Sequence, residues 1–252
     1  MGLADLLLES DRILEEANRQ GAVLRLMGGL AIRVHSPSAG RPELARDYAD
    51  IDVTGRRRQT QKIKQTLLNL GYTPDRHFNA LHGEKRLVFY DEEQHRKLDV
   101  FLDVFEMCHR VNLSLNLERK PKTLPLAELL LTKLQIVEIN EKDVKDIAAL
   151  ILDHDFAPGP QEDRINLEHL VRTASDDWGL YTTLMDNLDK VSDLLTDLRL
   201  PEEPAEVVRA RLKHLASVLR DSRKSINWRL RAVTGRRMTW YELPEEPQTK
   251  GG

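Results

Sequence analysis

The sequence predicts an α+β protein: strands and helices mix over residues 1–157, an α-helical domain occupies 161–240, and 241–252 form a tail without regular structure. Three observations predict this. Between residues 22 and 117, short apolar or alternating runs separated by polar or glycine-bearing turns read as strands, with helical periodicity between them. Beyond Pro158-Gly159-Pro160, the clearest boundary in the chain, the periodicity is helical throughout. After Tyr241, Pro244, Pro247 and Gly251-Gly252 break any repeating pattern.

Each element has its own signal. Residues 3–20 place Leu3, Leu6, Leu7, Ile13, Leu14 and Ala17 at helical spacing among acids, and Gly21 is placed to end that helix. Residues 22–27 form a short apolar run that breaks at Gly28-Gly29 and leads into a helix of about two turns. Ser36-Pro37-Ser38-Ala39-Gly40 and Pro42 mark a loop, and 50–54 return to a strand. A helix over 59–70 closes at Gly71, and strands are predicted at 86–90, 97–105 and 112–117. Pro125 suits the first turn of a helix over 126–139, which a second helix over 141–154 follows. The later helices are expected at 166–174, 177–198 and 205–234.

Composition sets outer limits. Charged residues make up 31% of the chain, yet the net charge is only −3, so partners must be read from local charge. The single cysteine, Cys108, excludes an internal disulfide framework and fits a reducing compartment. No apolar run approaches the roughly 20 residues of a membrane span. Asp5, Glu9 and Asp11 leave no basic signal-peptide region, and Leu6 stands where a myristoylation motif needs Ser or Thr. A cytoplasmic protein without membrane contact is expected.

The stretch from Leu26 to Thr54 carries the most chemistry. Strand alternation puts Asp50 and Asp52 on one face and sends Ile51 and Val53 into the core. Two like charges on one face are unfavourable without a cation, and Mg²⁺ prefers a few carboxylates together with phosphate oxygens and water. Gly28-Gly29 lets backbone come close to a ligand, and the following helix offers free N–H groups to phosphate. On 97–105, Asp99, Phe101, Asp103 and Phe105 share the face opposite Leu98, Val100, Leu102 and Val104.

Gly28-Gly29, a variable loop, Arg46 four residues before Asp50-Ile51-Asp52, and a later strand acid resemble the nucleotidyltransferase superfamily of the DNA polymerase β type. More narrowly they resemble the abortive-infection AbiEii-like nucleotidyltransferases of type IV toxin–antitoxin systems. Leu130-Leu131-Thr132-Lys133-Leu134 followed by Lys142-Asp143-Val144-Lys145-Asp146 is similar to the helical lysine and "KDxxD" segment of those proteins. The resemblance covers about residues 22–155; Tyr48 departs from it where the family carries Ser or Thr, and the loop from Gly29 to Asp50 is longer than usual.

The resemblance implies an N-terminal nucleotidyltransferase fold, a mixed β-sheet flanked by helices, followed by a C-terminal α-helical domain. It implies that Asp50 and Asp52 bind two Mg²⁺ (or Mn²⁺) ions and that a nucleoside triphosphate is co-substrate. A third acid beside the attacking group completes the metal-binding set and could take the acceptor's proton; Asp99 is favoured over Asp103 because it lies nearer the start of its strand, as the family's third acid does. Gly28, Gly29, Arg46 and Lys133 are the implied nucleotide contacts, Lys133 as a point charge on phosphate. Lys133 reads equally as a solvated helical lysine, and Asp143 and Asp146 as its orienting partners, a metal-ligand support or surface acids.

The implied activity moves a nucleoside monophosphate to an acceptor hydroxyl: a tRNA 3′ end or other RNA, a protein, or a small molecule. The AbiEii likeness favours RNA or protein in a toxin-like or defence role, with a cognate antitoxin as partner. A small-molecule adenylyltransferase of the antibiotic-modifying kind shares the core motif, and a catalytically inactive nucleotide- or RNA-binding partner protein is the reading from another class. In the last helical stretch Arg209, Arg211, Lys213, Arg220, Arg223, Lys224, Arg229, Arg231, Arg236 and Arg237 lie among Trp228, Trp240 and Tyr241. Such residues can hold phosphates and stack RNA bases, or can be the solvated side of a bundle helix. Arg56-Arg57-Arg58 likewise reads as a nucleic-acid grip or a solvated helix start. His77, His82, His95 and His109 have no zinc-ligand spacing, and no P-loop or Gly-x-Ser-x-Gly motif occurs.

Overall fold

The computed structural model describes residues 2–120 and 122–245. Its centre is a mixed five-stranded sheet in the order β1 (Leu24–Met27), β2 (Asp50–Gly55), β5 (Arg96–Leu102), β4 (Arg86–Asp91), β3 (Thr73–Pro74). Among the strand pairs of this sheet in the described residues, β2–β5 is parallel and the other three are antiparallel. The parallel pairing follows from the long connection between those strands, which passes through α3 (Thr60–Asn69), α4 (Arg76–His82) and β4. Alternation decides the register: Ile51, Val53, Leu98 and Val100 are fully buried, which fixes the opposite face for Asp50, Asp52 and Asp99.

Helices cover the sheet because each has an apolar stripe to bury. In α1 (Leu3–Arg19), Leu6, Ile13 and Ala17 are buried against β1 and α3, and Gly21 past its end adopts φ +70°. The short α2 (Gly28–His35) follows β1 directly. α5 (Leu126–Leu134) is buried on nearly all sides, packing on α2, on α6 (Glu141–Asp153) and on two later helices, α7 (Leu167–Asp176) and α8 (Trp178–Leu194). Asn140 caps α6, accepting from the Lys142 and Asp143 amides, while Asp143 reaches back to the Asn140 amide. α9 (Glu202–Asp221) packs on α6 and α8, and α10 (Ile226–Thr234) on α7 and α8. The apolar core therefore runs continuously from the sheet into the helical half. No helix among the described residues is long and apolar enough to cross a membrane.

Several elements differ from the sequence reading for identifiable reasons. The strand expected over 97–105 breaks at Asp103, which takes φ +61° and separates β5 from β6 (Val104–Glu106). Its amide donates to the Gly55 carbonyl, its own carbonyl accepts from Leu113 and Ser114, and its carboxylate accepts from the Arg57 amide. Instead of a strand at 112–117, the chain pairs β7 (Arg110–Asn112) with β6 and then makes a single 3₁₀ turn over Ser114–Asn116. The helix expected to reach 139 stops at Leu134, and that over 205–234 is two helices parted where Ser225 caps α10. β3, α4 and the small pair β8 (Phe156–Ala157) and β9 (Ile165–Asn166) had too few periodic residues to register.

Residues 246–252 of the expected tail lie outside the described residues. The preceding segment has no regular structure but is anchored: Trp240 Nε1 donates to Thr183, the Glu242 amide to the Cys108 carbonyl, and Arg86 Nη1 to the Glu245 carbonyl at 2.9 Å.

The end of α5 supplies a stability test. Asn187 of α8 is fully buried, and its amide donates to the carbonyls of Leu134 and Ile136 at 2.8 and 2.6 Å. These are acceptors that a helix C-terminus leaves open. Asn187→Ala is expected to lower unfolding free energy in urea by about 2–3 kcal/mol, since two buried carbonyls lose their donor. A loss below about 0.5 kcal/mol would mean that this bridge contributes little.

Candidate active site

The turn after β1 needs its glycines for steric reasons that bear on the site. Gly28 has φ +64°, and a Cβ there would lie 2.3 Å from Asp52 Oδ2. A Cβ on Gly29 would fall 1.6 Å from the Arg46 Nη2 atom. The two glycines thus let the Asp52 carboxylate and the Arg46 guanidinium press against the start of α2. No side chain caps α2, so its first-turn N–H groups keep their capacity to bind an acceptor.

The strands bring the acids together. Asp52 and Asp99 are register partners across the parallel pair, and Asp50 lies opposite Lys97. Their environments differ sharply. Among the described residues, neither Asp50 nor Asp52 has a side-chain hydrogen bond or ion pair, whereas Asp99, 2% exposed, is held by Arg86 Nε at 2.7 Å and Lys97 Nζ at 2.9 Å. Burial followed by the charge of Asp99 pushes the Asp52 carboxyl up to about 7. Burial also raises Asp50, against the opposing pull of Lys97. Asp103 lies four residues along from Asp99, past the end of β5 at the corner described above, 3.7 Å from Arg56. Among the described residues no group of three or more His, Cys, Asp or Glu side chains is arranged around one point. The pair Asp50 and Asp52, neither in a direct ion pair and Asp52 cradled against Gly28, fits a hard divalent cation; Asp99 already has its cations.

The opposite wall is a network of charges. Arg46 binds Asp146 through two parallel bonds of 2.8 Å, with its guanidinium 4.2 Å over the Tyr48 ring. Lys133 Nζ contacts Asp143 at 2.8 Å and Asp146 at 2.9 Å. Burial alone would lower the Lys133 value, but Asp146 and Asp143 outweigh it and the net shift is upward. Of the readings open for Asp143 and Asp146, the structure places them as the partners of Lys133 and Arg46. Lys142 has no side-chain hydrogen bond or ion pair among the described residues. It lines a cleft of about 210 Å³ together with Gly29, Asp50, Asp52, Lys133 and Tyr48. This opens into a groove of about 670 Å³ that shares Arg46, Asp47, Asn140 and Lys142 and continues along Lys145.

The sequence reading missed Lys142, Lys97 and Arg86. Lys97 stands two residues before Asp99 on the same strand face, so alternation could have found it. Arg86 required the β4–β5 register, and Lys142 required knowing which lysines are already paired.

The basic C-terminal stretch is only partly free. Arg211 donates to the Ile151 and Leu152 carbonyls, Arg236 pairs with Asp186 at 2.7 Å, and Arg231 lies 4.8 Å over Trp178. Trp228 packs edge-on against Tyr181, and Trp240 against both Trp178 and Tyr241. Arg220, Arg223, Arg229 and Arg237 have no side-chain hydrogen bond or ion pair among the described residues. Arg56 and Arg57 pair with Glu118 and Glu84.

No family profile matches the sequence, and no curated protein matches it. Among solved structures the chain aligns with the antibiotic-resistance factor ANT(2'')-Ia at 14% identity and a TM-score of 0.39, over 87% of this chain and 97% of that one.

The raised Asp52 value carries a sign that can be measured. Its folded value of about 7 exceeds the ordinary 3.8, so the folded state binds more protons between those limits and loses stability as pH rises through 7. His35 and His109, pushed down to about 4 by burial, act oppositely: their contribution is present above 6.5 and lost on acidification. Comparison with Asp52→Asn isolates the carboxylate. In EDTA the variant is expected to gain stability on wild type between pH 5 and pH 8, by at most about 3 kcal/mol. Parallel stability curves for the two proteins would show that Asp52 does not titrate in this range.

Proposed function

We propose that the cleft beside Asp50 and Asp52 transfers a nucleoside monophosphate from an NTP to an acceptor hydroxyl in a reaction dependent on Mg²⁺ or Mn²⁺. The observation that carries this reading is a pair of carboxylates with no direct hydrogen bond or ion pair among the described residues, facing an uncapped helix start across Gly28, in a cleft that also holds Lys142. Asp50 and Asp52 would hold the divalent cation, which when bound neutralises phosphate oxygens and favours in-line displacement. The N–H groups of the α2 first turn and Lys142 would receive phosphate oxygens. Lys133 and Arg46 would shape that wall from their fixed positions on Asp143 and Asp146. Asp99, both oxygens held by Arg86 and Lys97, would steady the strand beside Asp52, while the acceptor's proton passes to solvent as the new O–Pα bond forms and pyrophosphate departs with the electrons of the broken bond. Asp103 is left at its structural corner.

For the acceptor we propose an RNA, such as tRNA, or a protein hydroxyl, in a toxin-like or defence role that a cognate antitoxin would oppose. The unpaired Arg220, Arg223, Arg229 and Arg237 support an anionic acceptor, although the neighbouring aromatics are turned onto one another rather than outward.

The test combines purified protein, each labelled NTP, Mg²⁺ or Mn²⁺, and in separate reactions total tRNA, a protein extract or an aminoglycoside mixture. Label should move to tRNA or protein, be abolished by EDTA, and fall by at least about 100-fold in Asp52→Ala. Lys142→Ala should raise the KM for NTP about tenfold while Asp103→Asn leaves activity near wild type. Label on the aminoglycosides alone would establish a small-molecule acceptor. Undiminished transfer by Asp52→Ala would place the chemistry elsewhere, and a melting temperature unmoved by any NTP with Mg²⁺ would make the chain a protein without nucleotide chemistry.

A further inference from the structure

A second cavity, of about 390 Å³, lies where the first turn of α5 meets the 3₁₀ turn near Asn116 and the loop before α7. Its size suits a small metabolite. Pro125, Leu126, Ala127 and Pro160 give it apolar walls, and Glu128 lines it although only 1% exposed.

Glu128 is an unusual residue to find there. Its Oε1 accepts from Asn116 Nδ2 and lies 3.2 Å from His169 Nε2, while Oε2 accepts no hydrogen bond among the described residues. The Nε2 atom of His169 is itself buried without a well-aligned hydrogen bond, and burial lowers the imidazole's value against the opposing charge of Glu128. A buried carboxylate held at one oxygen by an amide and an ill-aligned imidazole keeps its other oxygen open to a cation.

The same turn offers the opposite charge a seat. Pro125 precedes α5 without a side-chain cap, so the first N–H groups of a nine-residue helix stand at the cavity wall. Of the basic residues that line it, Lys120 is 4.0 Å from Asp163 and Arg164 is 3.7 Å from Asp155. Arg119 is exposed and has no side-chain hydrogen bond or ion pair among the described residues.

We propose that this cavity binds a free α-amino acid, with its ammonium on Glu128, its carboxylate at the α5 N-terminus and Arg119, and its side chain against the apolar walls. Glu128 and the uncapped N–H groups belong to one helical turn, about 5.4 Å in pitch. Positive and negative groups must therefore sit close together in the ligand, as they do across a single carbon in an α-amino acid. A lone anion would leave Glu128 unmatched, and a lone amine would leave Arg119 and the helix end unmatched.

The experiment is a melting-temperature screen of the full chain with each of the twenty amino acids, followed by calorimetry on those that stabilise it. It reads binding alone, so its outcome is independent of any transfer activity. At least one amino acid should raise the melting temperature, while its N-acetyl and carboxamide derivatives should not. Glu128→Gln and Arg119→Ala should each weaken binding about 10–100-fold, the loss expected for one charge-assisted contact. Arg119 is exposed, so that variant remains informative even if Glu128→Gln fails to fold. Stabilisation by no amino acid, by the blocked derivatives equally, or by inorganic phosphate to the same extent would overturn the proposal.

Discussion

The parallel pairing of β2 with β5 is the constraint on which the rest of the cleft depends. It is the parallel strand pair of the sheet among the described residues, and its register sets Asp52 directly beside Asp99 and Asp50 beside Lys97. Because side chains alternate, a slip of one residue would turn Asp50 and Asp52 into the core and expose Ile51 and Val53. The acids are therefore held in place by apolar burial on the reverse face, where Ile51, Val53, Leu98 and Val100 are fully enclosed. Hydrophobic packing fixes a geometry that electrostatics alone would oppose.

That opposition is resolved differently for each acid. Asp99 is compensated within the sheet by Arg86 and Lys97, and Asp146 by Arg46 and Lys133. Burying such pairs is costly unless every partner is engaged with good geometry, and both clusters meet that condition with bonds of 2.7 to 2.9 Å. Asp50 and Asp52, like Asp47 at the cleft's edge, have no side-chain hydrogen bond or ion pair among the described residues. An arrangement that neutralises its neighbours and leaves two adjacent carboxylates without a direct ion pair concentrates negative potential at one point, which is where a divalent cation gains most.

Much of this was legible in the sequence, and the limits have physical causes. Gly28-Gly29, the Asp-x-Asp strand and the helical lysine are local patterns, and the structure brings all three to one cleft. Non-local facts were not legible. Nothing in the neighbourhood of Asp103 distinguishes it from Asp99 until the chain folds and uses its backbone as a corner with φ +61°. Lys133 and Lys142 both look like available cations on paper; the folded chain commits the first to Asp143 and Asp146 and leaves the second unpaired. The cluster of C-terminal arginines and aromatics read as a possible RNA surface, yet several of its members face inward, onto carbonyls of α6 or onto each other. Side-chain direction, rather than residue type, decided those cases.

Pro158-Gly159-Pro160 suggests two units joined by a linker, but α5 shows why the helical half cannot be an accessory. α5 is almost wholly apolar, and its two charged residues, Glu128 and Lys133, sit near opposite ends. Glu128 is met by His169 of α7, Lys133 by acids of α6, and the carbonyl end of α5 by Asn187 of α8. α6 in turn is covered by α9. Removing α7 and α8 would take the Asn187 donor from the Leu134 carbonyl and strip α5 of two of the helices it packs on. α5 carries Lys133 and packs on α2, the helix that begins at the glycine turn. The position of α5 beside the cleft thus depends on its packing against helices far along the chain.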